Sequence, residues 1–305
     1  MNAITSENQN IFHDDGGYLK VIRHAPSRKI ITLSSSNDKL FIIDADSSSS
    51  TFHTVIKTID CEQTLGLTIN NAEDTAYAVG MQEISVIDLA TGTIKTKIGL
   101  SGYAQDDLEL DEEHNRAYVI VYSQSSNPVN HLAVIDIDPN SSTFNTELKL
   151  IPIVHDRCSC LYFDYPYAYA DSSHSADYAD NRFLFRINVL TEETKKIQLL
   201  DNQVDSIINT SKEVIYYIDI DDKLLNNFRI NTFSLPKNET IQTEYLPSGA
   251  KYYVLNIAED SSSLIVFTYT KNVYTFPIAT DGRLLFTYEP PHSNNKYLPF
   301  LNLLL

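Results

Sequence analysis

The chain has no tryptophan and only two methionines, nine glycines and three cysteines among its 305 residues. Each shortage excludes something. With so few glycines, turns must be built mainly from Asp, Asn and Ser, whose short side chains bond nearby backbone N–H groups. Cys61, Cys158 and Cys160 are odd in number and lack zinc spacing. They form neither a disulfide framework nor a metal set, and buried free thiols in a reducing compartment are expected. Bases are scarce as well: 23 Lys and Arg face 40 Asp and Glu, for a net charge of −17 at pH 7. Such a surface repels phosphate, which argues against nucleic acid and anionic membranes. It favours a basic protein partner, a cation or a polar neutral ligand. No apolar run reaches the length of about 18 residues that a spanning helix needs, so no membrane insertion is expected. The opening MNAITSENQNIFHDDGG has neither the basic nor the apolar part of a secretory signal. The expected location is cytoplasmic, or outside by a route that uses no N-terminal signal peptide.

What is present is strand material. Apolar residues make up 43%, enough for a core, and 19 tyrosines and 13 phenylalanines suit half-buried pleated surfaces. Helical runs rich in Ala, Leu, Glu and Lys are missing. A repeat organises these strands. Apolar third-strand runs are followed by Asp44, Asp88, Asp136, Asn188, Ser234 and Pro277, roughly 45 residues apart. Each unit holds four strand-like runs, seen most clearly in LGLTIN, TAYAVG, EISVIDLA and TIKTKIGL of the second. The gaps are too short for crossover helices, so neighbours pair as antiparallel hairpins.

A four-stranded antiparallel meander repeated at this period predicts an all-β fold, a β-propeller with six clear repeats. The units fall at about 18–60, 65–100, 106–152, 159–201, 203–247 and 251–290. Residues 1–17 are a flexible N-terminal segment or a clasp. The tail 291–305 is either the first strand of a partial seventh blade or a closing segment. Second strands read as apolar throughout, which fits burial on both faces, while fourth strands alternate like outer edges. The outer strands are expected to begin at TFHTVIKTI (51–59) and TFNTELKL (143–150), and the third unit's first strand at Asp106. Pro277 should bend or end its strand, because proline removes a ladder donor. The recurring Asp, Asn or Ser is read as hairpin punctuation.

NAEDTAYAVGMQEISVIDLATGTIKTKI (71–98) and DEEHNRAYVIV (111–121) resemble the YVTN-type β-propeller repeat. There an aromatic–valine second strand precedes a V-I-D third strand and a T-x-T turn. The resemblance covers the first three units best. It implies a scaffold whose lactonase-like and surface-layer-like relatives differ in function. With Trp absent, the Trp-Asp blade type fits poorly.

Loops joining second to third strands, and fourth strands to the next unit, share one channel mouth, where function is expected. Tyr103 and the long loop with His174, Asp177, Tyr178 and Asp180 are the binding candidates. His155, Asp156, Arg157 and Asp106 are the catalytic candidates, through acid–base or carboxylate-binding chemistry. DADSSSS, DIDPNSS and DIDD are rich in oxygen but lack the calcium-loop pattern, so no metal is expected. G-x-S-x-G, P-loop and G-x-G-x-x-G motifs are all missing, and no cofactor is expected. The reading that follows is a non-catalytic scaffold binding a protein or other ligand. A lactonase- or hydrolase-type propeller enzyme and an exported surface-layer protein are the alternatives.

Overall fold

The computed structural model describes residues 18–24, 28–34, 38–61, 64–70, 75–123, 129–153, 158, 160–171, 183–198, 203–220, 228–246, 253–257, 262–268 and 273–285. Apart from one short 3-10 turn at Thr210–Lys212, the regular elements among them are strands. No helix among them is long and apolar enough to cross a membrane.

The strands form antiparallel meanders in chain order. The first sheet is β1 (Tyr18–His24), β2 (Lys29–Ser34), β3 (Lys39–Asp44) and β4 (Val55–Asp60). The second is β5 (Thr64–Asn70), β6 (Thr75–Gly80), β7 (Glu83–Asp88) and β8 (Thr93–Gly99). The third is β9 (Tyr103–Asp111), β10 (Arg116–Ser123), β11 (Val129–Asp136) and β12 (Thr146–Ile153). The fourth is β13 (Cys160–Asp164), β14 (Tyr167–Asp171), β15 (Phe183–Asn188) and β16 (Thr194–Gln198). The fifth is β17 (Gln203–Asn209), β18 (Val214–Ile220), β19 (Phe228–Ser234) and β20 (Glu239–Tyr245). The sixth holds β21 (Tyr253–Ile257), β22 (Ser263–Thr268) and β23 (Val273–Pro277). In place of a described fourth strand, Leu284 bridges Ile278.

The chain divides into two compact units. The first holds residues 1–173 and 185–195, and the second holds 174–184 and 196–305. In the first, β6 is buried along its whole length. Its alternate side chains serve two cores. Ala76 and Ala78 pack with Ile31, Leu33, Leu40 and Ile42 of the first sheet. Tyr77 and Val79 pack with Leu108, Val119, Val121 and Ile135 of the third. Period-two alternation therefore joins three sheets through one strand. First strands pack on one another, β1 on β5, β5 on β9 and β9 on β13. The second unit has its own core of Tyr216, Ile218, Ile230, Leu255, Leu264, Val266 and Phe276.

Every third strand ends on the residue that marks the repeat. Asp44 Oδ1 accepts the Asp46 N–H at 2.8 Å, and its Oδ2 accepts the Thr51 hydroxyl at 2.6 Å. Asp88 Oδ1 accepts the N–H groups of Ala90 and Thr91, and Asn188 Oδ1 those of Leu190 and Thr191. Asp136 repeats the Asp44 pattern and adds Arg116 at 2.8 Å. Side-chain bonds thus do much of the turning, and only the Asp88 hairpin among these adds a left-handed glycine, Gly92. The left-handed backbone falls on residues such as His53, Asn115, Asn145, Glu192 and Asn238, at a cost of about 1 kcal/mol each.

Two expected strand starts move. Residues 51–54 and 143–145 are turn, and the outer strands begin at Val55 and Thr146. The hydroxyl bonds to Asp44 and Asp136, with positive φ at His53 and Asn145, end the turn there. The first strand of the third sheet begins at Tyr103 rather than Asp106. Pro277 does end its strand.

Two predictions follow from these contacts. Tyr216 is fully buried, and its hydroxyl donates to the Gly282 carbonyl at 2.6 Å. Tyr216→Phe should lower stability by about 1–3 kcal/mol by stranding that carbonyl, read from the urea midpoint with an unchanged slope. Burial tends to raise the Asp136 pKa. Hydrogen bonds from Ser141, Thr143 and the Asp138 N–H, with the nearby Arg116 charge, outweigh it and hold the group below 3.8. A carboxyl lowered on folding adds stability above its unfolded value and loses it as pH falls through the folded one. Asp136→Asn should therefore be the less stable protein at pH 7, and the gap should close below about pH 4, as followed by urea midpoints across that range.

Candidate functional site

The two ends of each sheet differ in kind. At one end lie the hairpins closed by the repeated Asp, Asn or Ser. At the other, connections from fourth strands bond back to the residue just before the third strand or to its first residue. The Cys61 N–H donates to the Asp38 carbonyl, the Leu100 N–H to Gln82 and the Leu246 N–H to Phe228. These bonds draw the linkers of the first, second and fifth sheets to the mouth-side end.

Inner strands share an irregularity at this end. Leu19, Leu65 and Val204 are each one extra residue against the second strand in the first, second and fifth sheets. In the third sheet the insertion is larger. Ala104 pairs with Val121 and Leu108 with Val119, so Gln105, Asp106 and Asp107 stand against Ile120 alone. Bulges re-aim side chains and bend strands, and they concentrate near sites. This one puts two consecutive acids on an inner strand. It is pinned on both sides: the Ala104 N–H donates to the Met81 carbonyl at 2.7 Å, and the Thr68 hydroxyl to the Leu108 carbonyl at 2.5 Å. Tyr103, half-buried, pairs with Tyr122, and its carbonyl accepts the Gln105 amide at 3.0 Å. Gly102 lies under the Tyr122 carbonyl, where an added Cβ would come within 2.7 Å. On the neighbouring strand, His131 Nδ1 is buried with no hydrogen-bond partner among the described residues.

Of the residues singled out from sequence, Tyr103 and the backbone of Asp106 fall in this bulged segment. His155, Asp156 and Arg157 lie outside the described residues, as do His174, Asp177, Tyr178 and Asp180. The bulge and His131 are additions. The sequence carries no phase signal for the bulge, because Ala104, Leu108 and Leu110 stand in the same period-two phase across it.

Other polar clusters have structural partners. The fully buried Asp219 carboxylate, at the mouth end of the fifth sheet, takes a two-point grip from Arg229 at 2.7 and 2.9 Å. At the hairpin end of the third sheet, buried Asp111 faces His114 Nδ1 at 2.9 Å, and that ring stacks on Tyr165 at 3.7 Å. No group of three or more His, Cys, Asp or Glu among the described residues is placed to hold a metal ion.

Against known proteins, no family model matches the chain, and no curated protein matches it in sequence. Solved structures do match in fold. Hydrazine synthase from Kuenenia stuttgartiensis superposes with a TM-score of 0.65 at 12% identity, over 87% of this chain and 78% of that one. Hsv2 from Kluyveromyces lactis gives 0.55 at 10% identity, over 91% and 80%. The C-terminal WD40 domain of Sif2 gives 0.55 at 12%, over 85% and 66%. At these identities the likeness is one of fold, and the chain is a β-propeller of antiparallel sheets.

Cys61 and Cys158 are both buried and outside any disulfide, and burial, with the nearby Asp60 charge, pushes the Cys61 thiol up to about 11. At pH 8 almost none of Cys61 is thiolate. Neither thiol should react with a disulfide reagent in the folded protein, and both should react at once in urea. Fast native-state labelling at either position, mapped by mass spectrometry, would contradict this burial.

Proposed function

We propose that the chain is a non-catalytic scaffold that binds a basic segment of a partner protein at the mouth-side end of its third sheet. One observation carries this reading. The largest departure from the repeat on any described inner strand is the insertion of Gln105, Asp106 and Asp107. It falls beside Tyr103 and Tyr122. Two consecutive acids on the strand that carries Tyr103, which pairs with Tyr122, suit a lysine or arginine side chain, which can pair with a carboxylate and lie against an aromatic face. The net charge of −17 would steer such a segment toward the protein and hold off acidic competitors. The presence of a WD40 domain among the structural neighbours supports a scaffold but names no partner.

The test uses a fluorescent peptide of alternating lysine and glycine and the intact chain. Binding, read by anisotropy, should weaken steeply from about 50 to about 300 mM salt. Asp106→Asn/Asp107→Asn should reduce affinity by on the order of tenfold. Glu112→Gln/Glu113→Gln makes the same charge change at exposed positions in the β9–β10 turn, and it should leave affinity nearly unchanged. Equal losses in both variants would reduce the effect to net charge and end the site-specific reading.

A further inference from the structure

The hairpin end of the first unit holds a feature that turn formation does not explain. The first and third sheets carry the same long loop, Asp44–Thr54 and Asp136–Thr146. Its bonds repeat one for one. Thr51 donates to Asp44 at 2.6 Å and Thr143 to Asp136 at 2.6 Å. Ser49 and Ser141 lie 2.9 Å from those threonine hydroxyls. The Thr54 and Thr146 hydroxyls each cap a carbonyl at 2.7 Å. The His53 and Asn145 N–H groups each close the loop at 2.8 Å, with φ of 63° and 58°.

None of these bonds uses the aromatic ring that both loops display. Phe52 and Phe144 are 36% and 41% exposed. The outer strands that follow add Ile56 and Leu148, each the extra residue of a bulge, at 43% and 40%. The second, fourth and fifth sheets show that a long loop is not needed. Their hairpins run from Asp88, Asn188 and Ser234 to Thr93, Thr194 and Glu239. Each closes with an N–H returned to the third strand's last carbonyl. Long loops with exposed apolar side chains thus sit on alternate sheets of this unit. Exposed apolar groups rimmed by polar residues can mark contact surfaces, and here one pair, an aromatic ring with an aliphatic side chain, recurs at both loops.

We propose that these twin loops are a paired docking surface for a partner protein that offers an apolar pocket rimmed by lysine or arginine to each. Charge decides the occupant. Asp44 and Asp136 are buried in the loops' own bonds, and Asp46 and Asp136 pair with Arg28 and Arg116, so the charge a partner meets is chiefly the chain's net −17. A second copy of the chain would meet like charge, and so would an anionic bilayer. A basic protein surface would meet opposite charge. The hydroxyl and carboxylate network fixes each loop beforehand, so little ordering is lost when the rings are covered. This surface is separate from the proposed mouth site and does not depend on it.

The experiment titrates the chain with an amphipathic lysine–leucine helical peptide at about 150 mM salt, read by calorimetry. A lysine–serine peptide of equal charge is the control. Phe52→Ser and Phe144→Ser should each remove one peptide equivalent, and the double variant two, with each variant still unfolding in one cooperative urea transition. The control peptide should show no such Phe-dependent sites. Asp106→Asn/Asp107→Asn should keep both Phe-dependent sites, which separates this surface from the mouth. Stoichiometry that ignores both phenylalanines overturns the proposal. So does Phe-dependent binding to vesicles of phosphatidylserine, or a wild-type dimer in sedimentation that the double variant abolishes.

Discussion

A sheet that is apolar on both faces cannot stand alone, and the first unit follows from that constraint. Every side chain of β6 is buried, the even members against one neighbour and the odd members against the other. Removing either neighbour would expose half of them. At about 25 cal/mol per Å² of apolar surface, such exposure would exceed the few kcal/mol that hold a small sheet together. The period-two pattern fixes the strands, and burial on both faces fixes their stacking. The connections are left to absorb variation, which is where the individual features of the molecule lie.

Glycine scarcity shows how those connections are closed. A carboxylate, amide or hydroxyl at the end of the third strand takes one or two backbone N–H groups and often a hydroxyl from further along. These bonds offset the strain of left-handed backbone at residues other than glycine. They also keep carboxyls such as Asp44 and Asp88 ionised in mild acid. For Asp44 the hydrogen bond from Ser49 contributes most, and for Asp88 the one from the Thr91 backbone.

Strands and hairpins were legible because their signals are local: apolar alternation, then an acid or amide, then a turn. Thr-Phe-His-Thr was misleading for the same reason. Its composition reads as strand, yet the bonds that make it a turn reach back seven residues, from Thr51 to Asp44. The mouth was less legible still. Tyr103 and Asp106 were visible as candidates, but the shape that joins them depends on which residues β10 leaves without partners. That is a matter of pairing between strands, and residue types along one strand do not specify it. The same holds for His131, which is one scattered histidine in the sequence and a buried ring nitrogen at a strand start in three dimensions.

The insertion in β9 has a consequence for how a ligand is counted as well as held. A repeat protein offers nearly equivalent inner strands, so a small ligand could settle against several of them in rotated but similar poses. Such degeneracy raises apparent affinity slightly and removes any fixed orientation. One residue extra in β1 and β5 preserves that likeness, whereas three residues set against one in β9 abolish it. The bulge thus makes β9 unlike β1 and β5, so a segment bound there as proposed would have one way round.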